Sequence, residues 1–140
     1  MAVRGYGATS RARLATCHPL LIMLFERVIR RPDLPHDLSV LCGHRGEGEQ
    51  EAAYRAGRSR LRWPRSKHNQ VPSHAIDVAP YVGGAVSWEW RHYHAVAPII
   101  RAEWALMVSE GLVPQGVTLE WGGDWTTLRD GPHWQIVGAP

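Results

Sequence analysis

The sequence has little cysteine. Its 140 residues include only Cys17 and Cys42, and no C-x-x-C pattern occurs. Disulfide-stabilised scaffolds and thiolate metal sites use more cysteines at closer spacings. We therefore predict two free thiols and place both of them outside any metal site.

The sequence also lacks a long hydrophobic run. The apolar run at residues 20–25 is far shorter than the roughly 20 residues that span a bilayer. Charged residues follow it, without the small-residue pattern at which a signal peptide is cleaved. We predict no membrane insertion and no signal peptide.

Positive charge is in modest excess. Lysine and arginine number 16 against 13 acidic residues, which gives a net charge of +3. The basic residues are dispersed except in RAGRSRLRWPRSK, residues 55–67, where aromatic residues are few. No nucleic-acid-binding module is recognisable, so we predict no nucleic-acid partner. The basic segment is typical of a loop that approaches a negatively charged polymer.

The remaining composition, 44% hydrophobic and 21% charged, is that of a globular protein, and we predict one domain, residues 1–140. Apolar residues at helical spacing predict a first helix of roughly four to five turns. Ser10 is its predicted N-cap, and an adjustment is expected near Pro19. A later helical pattern closes at Gly111, and Pro98 within it predicts a kink or a break.

Strand patterns place polar residues at defined positions. DLSVLCGHR predicts a strand that ends at Gly43 and leaves Arg45 at the corner before a short helix. In the segment AIDVA, alternate side chains point to opposite sides, so Asp77 faces away from the aliphatic core. His133 and Gln135 share one face of the last predicted strand. A buried carboxylate such as Asp77 requires a cation, a hydrogen-bond network or a metal.

His68, Asp77 and His133 are the candidate metal ligands by their placement. Two imidazoles and one carboxylate form a ligand set that zinc uses when a fourth position stays open. Spacing alone leaves other interpretations open, because the chain has eight histidines that can each be hydrogen-bonded structural residues. Asp77 can equally pair with Arg45 or Lys67.

A second histidine pair, His92 and His94, lies in a predicted helix. Two residues apart on a helix, their side chains diverge by about 200°. We interpret them as helix-surface residues.

Four motifs occur in order along most of the chain: GHR followed by EQ (residues 43–50), SKHNQVPSHAID (66–77), WGGDW (121–125) and DGPHW (130–134). Together they resemble the zinc D-alanyl-D-alanine carboxypeptidase and L-alanyl-D-glutamate endopeptidase family, which includes VanY-type enzymes and many phage endolysins. Two features depart from the family pattern. His68 precedes Asp77 by nine positions, which leaves His74 as a competing ligand, and His44 stands where an aromatic residue is usual.

The resemblance implies roles for eight residues. One zinc ion per chain is bound by His68, Asp77 and His133. Asp130 is the general base and Arg45 stabilises the developing oxyanion. Ser66, Gln50 and Trp125 are assigned to substrate binding, Ser66 by orienting the ligand loop or a substrate carboxylate.

The implied fold is a small α+β domain with a central antiparallel sheet, helices on one side and the zinc groove on the other, as in hedgehog and D-Ala-D-Ala peptidase domains. The implied function is that of a phage endolysin that cuts peptidoglycan stem peptides at the L-Ala-D-Glu bond. The alternatives are a D-Ala-D-Ala carboxypeptidase and a non-catalytic, zinc-stabilised wall-binding module. We expect a monomer that accumulates in the host cytoplasm and reaches the cell wall at lysis.

Overall fold

The computed structural model describes residues 4–140, and in this part of the chain four α-helices accompany one antiparallel sheet. The helices are α1 (Ala8–Leu14), α2 (Pro19–Ile29), α3 (Glu47–Arg55) and α4 (Trp90–Ser109). The strands are β1 (Asp37–Cys42), β2 (Ala75–Val82), β3 (Ala85–Val86), β4 (Thr118–Trp121) and β5 (His133–Val137). This confirms the predicted α+β class.

The sheet has the order β1-β2-β5-β4, and the short β3 pairs with β2. All the pairings are antiparallel. Strand β2 is therefore central, with β1 on one side and β5 on the other. A residue in the middle of β2 has neighbours from two strands that are distant in sequence.

The two faces of β2 and β5 differ as the alternation predicts. Ile76, Val78, Trp134 and Ile136 are buried in the core, which α2 and α4 complete. Side chains at the intervening positions point to the opposite face. The sheet thus separates an apolar core from a polar surface.

The N-terminal region corrects the prediction of a single first helix with Ser10 as its N-cap. Gly7 is the N-cap of α1, and the buried Ser10 hydroxyl instead accepts a hydrogen bond of 3.0 Å from the Val40 amide. A second helix begins at Pro19, where proline lacks only an amide that the first turn would leave unpaired. Ser10 therefore connects α1 to the sheet.

Pro98 does not break α4, which is continuous from Trp90 to Ser109. The carbonyl deprived of a helical hydrogen bond by Pro98 is that of His94, and both residues are exposed, so water can reach that carbonyl. The helix ends as predicted before Gly111, whose φ is +76°. None of the described helices combines the length and hydropathy required to cross a membrane.

A buried ion-pair cluster joins α2 to α4. The Glu103 carboxylate on α4 is 2.6 Å from Arg27 Nε and 3.1 Å from Arg31 Nη1, both from the α2 side. Arg27 also binds Glu110, and Arg31 also binds Asp33. Each oxygen of Glu103 therefore has a cationic donor.

Candidate metal centre and active site

Three polar side chains lie in a row across the sheet. Asp77 of the central strand β2 is paired with Cys42 of β1 on one side and with His133 of β5 on the other. Antiparallel partners that stand directly opposite share a face. The register therefore brings Cys42 and His133 to the side of the sheet on which Asp77 points away from the core.

A short 3₁₀ helix, Lys67–Asn69, brings His68 over this row. The Ser66 hydroxyl accepts a hydrogen bond of 3.2 Å from the His68 amide. Asn69 closes the turn by accepting from the Ser66 amide at 3.0 Å. This pair of caps fixes the backbone from which the imidazole projects.

The orientation of the His68 ring is set by Gly43, which follows β1. The Gly43 carbonyl lies 2.7 Å from His68 Nδ1, and since a carbonyl only accepts, Nδ1 carries the proton. Gly43 has no room for a side chain, because a Cβ there would collide with Thr16 and with the Arg13 carbonyl. The lone pair of His68 is therefore on Nε2.

A similar argument fixes His133. Gln135 donates from Nε2 to the Glu120 carboxylate at 2.9 Å, which turns Gln135 Oε1 toward His133 Nε2 at 2.8 Å. His133 Nε2 must then be the donor, which leaves the lone pair on Nδ1.

The two lone pairs converge on Asp77. His68 Nε2 and His133 Nδ1 each lie 3.3 Å from Asp77 Oδ1. Within residues 4–140, His68 Nε2 and Asp77 Oδ1 are buried polar atoms without a hydrogen-bond partner. Three electron-rich atoms that face one another repel unless a proton or a metal cation lies between them. The donor set thus fits a divalent metal ion of the type that prefers nitrogen and oxygen ligands.

The pKa shifts of His68 and Asp77 also indicate that positive charge is needed at this position. Burial lowers the pKa of His68, but the Asp77 carboxylate opposes this and the net pKa is raised to about 10. Burial raises the pKa of Asp77, and the two histidines overcome that effect, so its pKa lies well below its usual range. The carboxylate is stable here only with positive charge beside it, which a proton or a metal ion can supply.

The atoms that could ligate a metal ion fall into two overlapping groups. Cys42, His68 and Asp77 have donor atoms within 4.8 Å of one another, and so do Asp77, Asp130 and His133. Asp77 belongs to both groups. The placement of Cys42 beside the site corrects the prediction that both cysteines lie outside it, since β1 pairing was not visible in the motif spacing. Cys17, by contrast, is in the core.

Arg45 approaches the site from the corner between β1 and α3. Its Nη2 is 3.6 Å from Asp77 Oδ2, and its Nη1 donates to Gln50 Oε1 at 3.0 Å. One of the two ion pairs considered for Asp77 is therefore present, at a long distance. The Arg45 side chain is 17% exposed, so a bound molecule can reach it.

Gln50 does not contact the solvent, which contradicts its assignment to substrate binding. It is 0% exposed, and its amide is committed to Arg45, Asn69, Ser59 and Leu61. Gln50 instead holds Arg45, the His68 turn and the following loop in place. Ser66, 6% exposed, likewise supports the His68 turn.

Asp130 belongs to a loop that is held against β4 and β5. Its amide donates to the Gly122 carbonyl at 3.0 Å, and Trp121 Nε1 donates to the Gly131 carbonyl at 2.7 Å. A side chain at Gly122 would collide with the Asp130 backbone and His133. Burial and the Asp77 charge raise the pKa of Asp130 above its ordinary value, which suits a proton acceptor.

The other candidates have the following positions. The Trp125 ring is 5.0 Å from the His133 ring and partly exposed at the edge of the site. The competing ligand His74 packs instead against His18, at 5.2 Å between rings. His92 binds the Ser87 hydroxyl, and His94 is exposed on α4.

Comparison with known proteins identifies the family. A family model described as phage L-alanyl-D-glutamate peptidase matches residues 1–135. The chain belongs to this family. It is 28% identical over 127 residues to the L-alanyl-D-glutamate peptidase of Escherichia phage T5, covering 89% of this chain and 84% of that protein. The crystal structure of the L-Ala D-Glu endopeptidase ChiX of Serratia marcescens matches with a TM-score of 0.76 and 33% identity, over 96% of this chain and 91% of that one.

Membership of the phage L-alanyl-D-glutamate peptidase family confirms the family resemblance and the peptidase assignment made from the sequence motifs. The roles of individual residues stay predictions. Sequence reasoning missed Cys42, Glu120 and the support given by Gln135. Two signals were available: Cys42 directly precedes the GHR motif, and Gln135 shares a strand face with His133.

Proposed function

We propose that this chain is a zinc-dependent endopeptidase that hydrolyses the L-Ala-D-Glu bond of peptidoglycan stem peptides. The convergence of His68 Nε2 and His133 Nδ1 on the unpartnered Asp77 Oδ1 is the observation that supports it most directly. The family and the two relatives named for this bond support the substrate.

The proposed ligands are His68, Asp77 and His133, with one zinc ion per chain. Three protein ligands leave a coordination position open, as in catalytic rather than structural zinc sites. When bound there, zinc polarises the scissile carbonyl and lowers the pKa of water in the open position toward ~7.

Asp130 is the proposed general base. Its carboxylate belongs to the same donor group as Asp77 and His133, and its raised pKa brings its proton affinity closer to that of the groups it serves. It takes the proton of the attacking water and returns it to the leaving amine of the glutamyl residue.

Arg45 is the proposed stabiliser of negative charge on the substrate oxygen. Gln50 holds one nitrogen of its guanidinium, while the other side of the group faces the site near Asp77. A fixed cation acts most strongly on charge that develops in the transition state. Trp125 at the edge of the site is the proposed contact for the peptide.

The proposed biological setting is phage lysis. The relative from Escherichia phage T5 supports synthesis in the host cytoplasm and access to peptidoglycan at lysis. We further propose that the chain acts as a monomer.

The test of the proposed function compares wild-type protein with Asp130→Asn on purified peptidoglycan. We expect mass spectrometry to find new amino-terminal D-glutamyl products with wild type. Asp130→Asn should retain zinc but lose hydrolysis by about 10²-fold or more, the scale of a lost general base.

Three outcomes would contradict the proposal. Release of free D-alanine alone would indicate a carboxypeptidase. Absence of any product from zinc-loaded wild type would favour a binding module. Full activity in Asp130→Asn, with a lowered melting temperature, would make Asp130 a structural cap.

A further inference from the structure

We propose that the groove between α3 and residues 59–65 binds carboxylates of a stem peptide next to the one being cut. This subsite rests on the proposed function, since it requires a polymeric substrate with repeated acidic groups. The groove is open to solvent, has a volume of about 610 Å³ and is lined by Glu47, Glu51, Tyr54, Arg60, Leu61, Arg62, Trp63 and Arg65. It contains three of the six basic residues of segment 55–67, to which the proposed catalytic mechanism gives no role.

The wall of the groove is anchored to α3. Gln50 donates to the Leu61 carbonyl at 2.6 Å, and Glu51 accepts from the Trp63 amide at 3.1 Å. Arg62 binds Glu51 at 2.7 Å and lies over the Tyr54 ring. Hydrogen bonds to backbone and side-chain atoms thus hold residues 61–63 of the loop against α3. The groove is therefore already shaped before any ligand binds.

Arg60 and Arg65 differ from Arg62, the third arginine of the groove wall. Both are exposed, and within residues 4–140 neither forms an ion pair, whereas Arg62 is neutralised by Glu51. The lining carries three arginines against two acids, so it has an excess of positive charge. A guanidinium presents paired donors that match a carboxylate.

The loop that forms the groove wall is linked to Arg45 by the hydrogen bonds of one buried side chain. Gln50, which holds the loop through Leu61, also binds Arg45 through its other amide atom. Arg45 in turn faces Asp77. The loop that forms the groove wall is therefore only two hydrogen bonds away from Arg45.

The proposed substrate carries carboxylates that are complementary to the arginines of the groove. A glutamyl residue joined to alanine through its amine retains two carboxyl groups, of which at most one continues the peptide. Each stem of the polymer therefore presents at least one further acidic group. Two arginines without an ion-pair partner among residues 4–140 give an intact wall more contacts than a short peptide can make, which increases avidity.

The experiment measures binding to intact, phosphate-free peptidoglycan sacculi by sedimentation. All proteins carry Asp130→Asn, so that hydrolysis does not remove the binding sites. The test variant adds Arg60→Ala and Arg65→Ala. The matched control adds Arg30→Ala and Arg91→Ala, which removes the same charge from side chains that are 69% and 75% exposed and far from the groove in sequence.

We expect the groove variant to bind sacculi about 3- to 30-fold more weakly than its parent at low salt. The control pair should change binding by less than about twofold. The difference should vanish near 1 M salt, where the screening length is about 3 Å. Amidation of the sacculus carboxyl groups should remove it as well.

Hydrolysis assays with Asp130 restored separate this inference from the proposed function. The groove variant should lose more activity on sacculi than on a short stem peptide. If the groove substitutions and the control substitutions weakened binding to sacculi equally, the cause would be general charge attraction, and the subsite would be overturned. Unchanged binding, or a difference that survives amidation, would also overturn it. Failure of wild type to cleave any substrate would overturn the function alone.

Discussion

Two carboxylates with little exposure to solvent, Glu103 on α4 and Asp77 on β2, have opposite electrostatic surroundings. Both oxygens of Glu103 have arginine donors, at 2.6 Å and 3.1 Å. Asp77 has Arg45 at 3.6 Å from one oxygen, while its other oxygen faces two imidazole nitrogens and has no hydrogen-bond partner among the described residues.

The contrast distinguishes a carboxylate that stabilises the fold, Glu103, from a carboxylate that is arranged to bind a cation, Asp77. Two cations near Glu103 offset the cost of its burial and fasten α2 to α4. The groups around Asp77 are placed so that they satisfy one another only through an added cation. Buried polar atoms left unpaired in a native structure require such an explanation.

The largest expected effect is that of Asp77→Asn. Because the amide removes the charge shared by both donor groups, we expect loss of stoichiometric zinc and a fall in peptidoglycan hydrolysis of about 10²-fold or more. Added zinc should raise the melting temperature of wild type and leave this variant unchanged. Metal analysis and thermal melting on one preparation check both; retained zinc would reassign the ligands.

Glu103→Gln should show the converse pattern. We expect the free energy of unfolding to fall by about 1–3 kcal/mol, since two arginines lose a charged acceptor but keep Asp33 and Glu110. Zinc content and turnover per folded molecule should stay near wild type. Urea unfolding monitored by fluorescence provides the measurement. A loss of zinc from Glu103→Gln would contradict the assignment of a purely structural role to Glu103 and a metal-binding role to Asp77.

Gln135→Ala removes the acceptor that fixes the His133 tautomer, without touching a proposed ligand. We expect zinc affinity to fall by about 10- to 100-fold, the usual effect of a lost ligand-orienting hydrogen bond. Chelator competition measures it, and Gln135→Glu, which restores an acceptor, should recover most of the loss. Equal affinity in Gln135→Ala would mean that the tautomer is set elsewhere.

The pH dependence of metal binding should reflect His68. Its pKa in the metal-free folded protein is raised to about 10, above the ordinary value of 6.5. Below pH 10 zinc must displace that proton, so apparent affinity should rise by about tenfold per pH unit toward pH 10. In the metal-free protein the same shift contributes stability below pH 6.5, which is lost as pH rises through 10.

Chelator competition at several pH values tests the predicted zinc affinity. Unfolding of the metal-free protein at the same pH values tests the predicted stability. His68→Gln should flatten the stability change between pH 6.5 and 10. A wild-type affinity that does not vary over this interval would show that His68 is neutral before metal arrives.

Short-range pattern predicted much of this architecture. Alternation along β2 and β5 correctly separated Asp77 and His133 from Ile76 and Ile136, because a period of two is visible in five residues. The separation of α1 from α2 before Pro19 and the continuity of α4 through Pro98 were harder to predict from the sequence. Each depends on the tertiary surroundings of the proline. Motif order supplied the family.

The less predictable part of the site depends on pairing between distant segments. Cys42 reaches Asp77 only through the β1–β2 register and its irregularity between Val40 and Cys42. The burial of Gln50 results from a loop that folds back on α3. Neither contact leaves a periodic signal in the sequence.

The central position of β2 has a consequence for the folding pathway. His68 precedes this strand, while His133 arrives with β5, after the whole of α4 and β4 have intervened. Antiparallel pairing across such a separation requires the closure of a long loop, which is a slow, entropically unfavourable step. The complete donor set therefore exists only after the sheet has closed around β2. A metal ion bound by this set would stabilise a nearly complete fold and would not nucleate its formation.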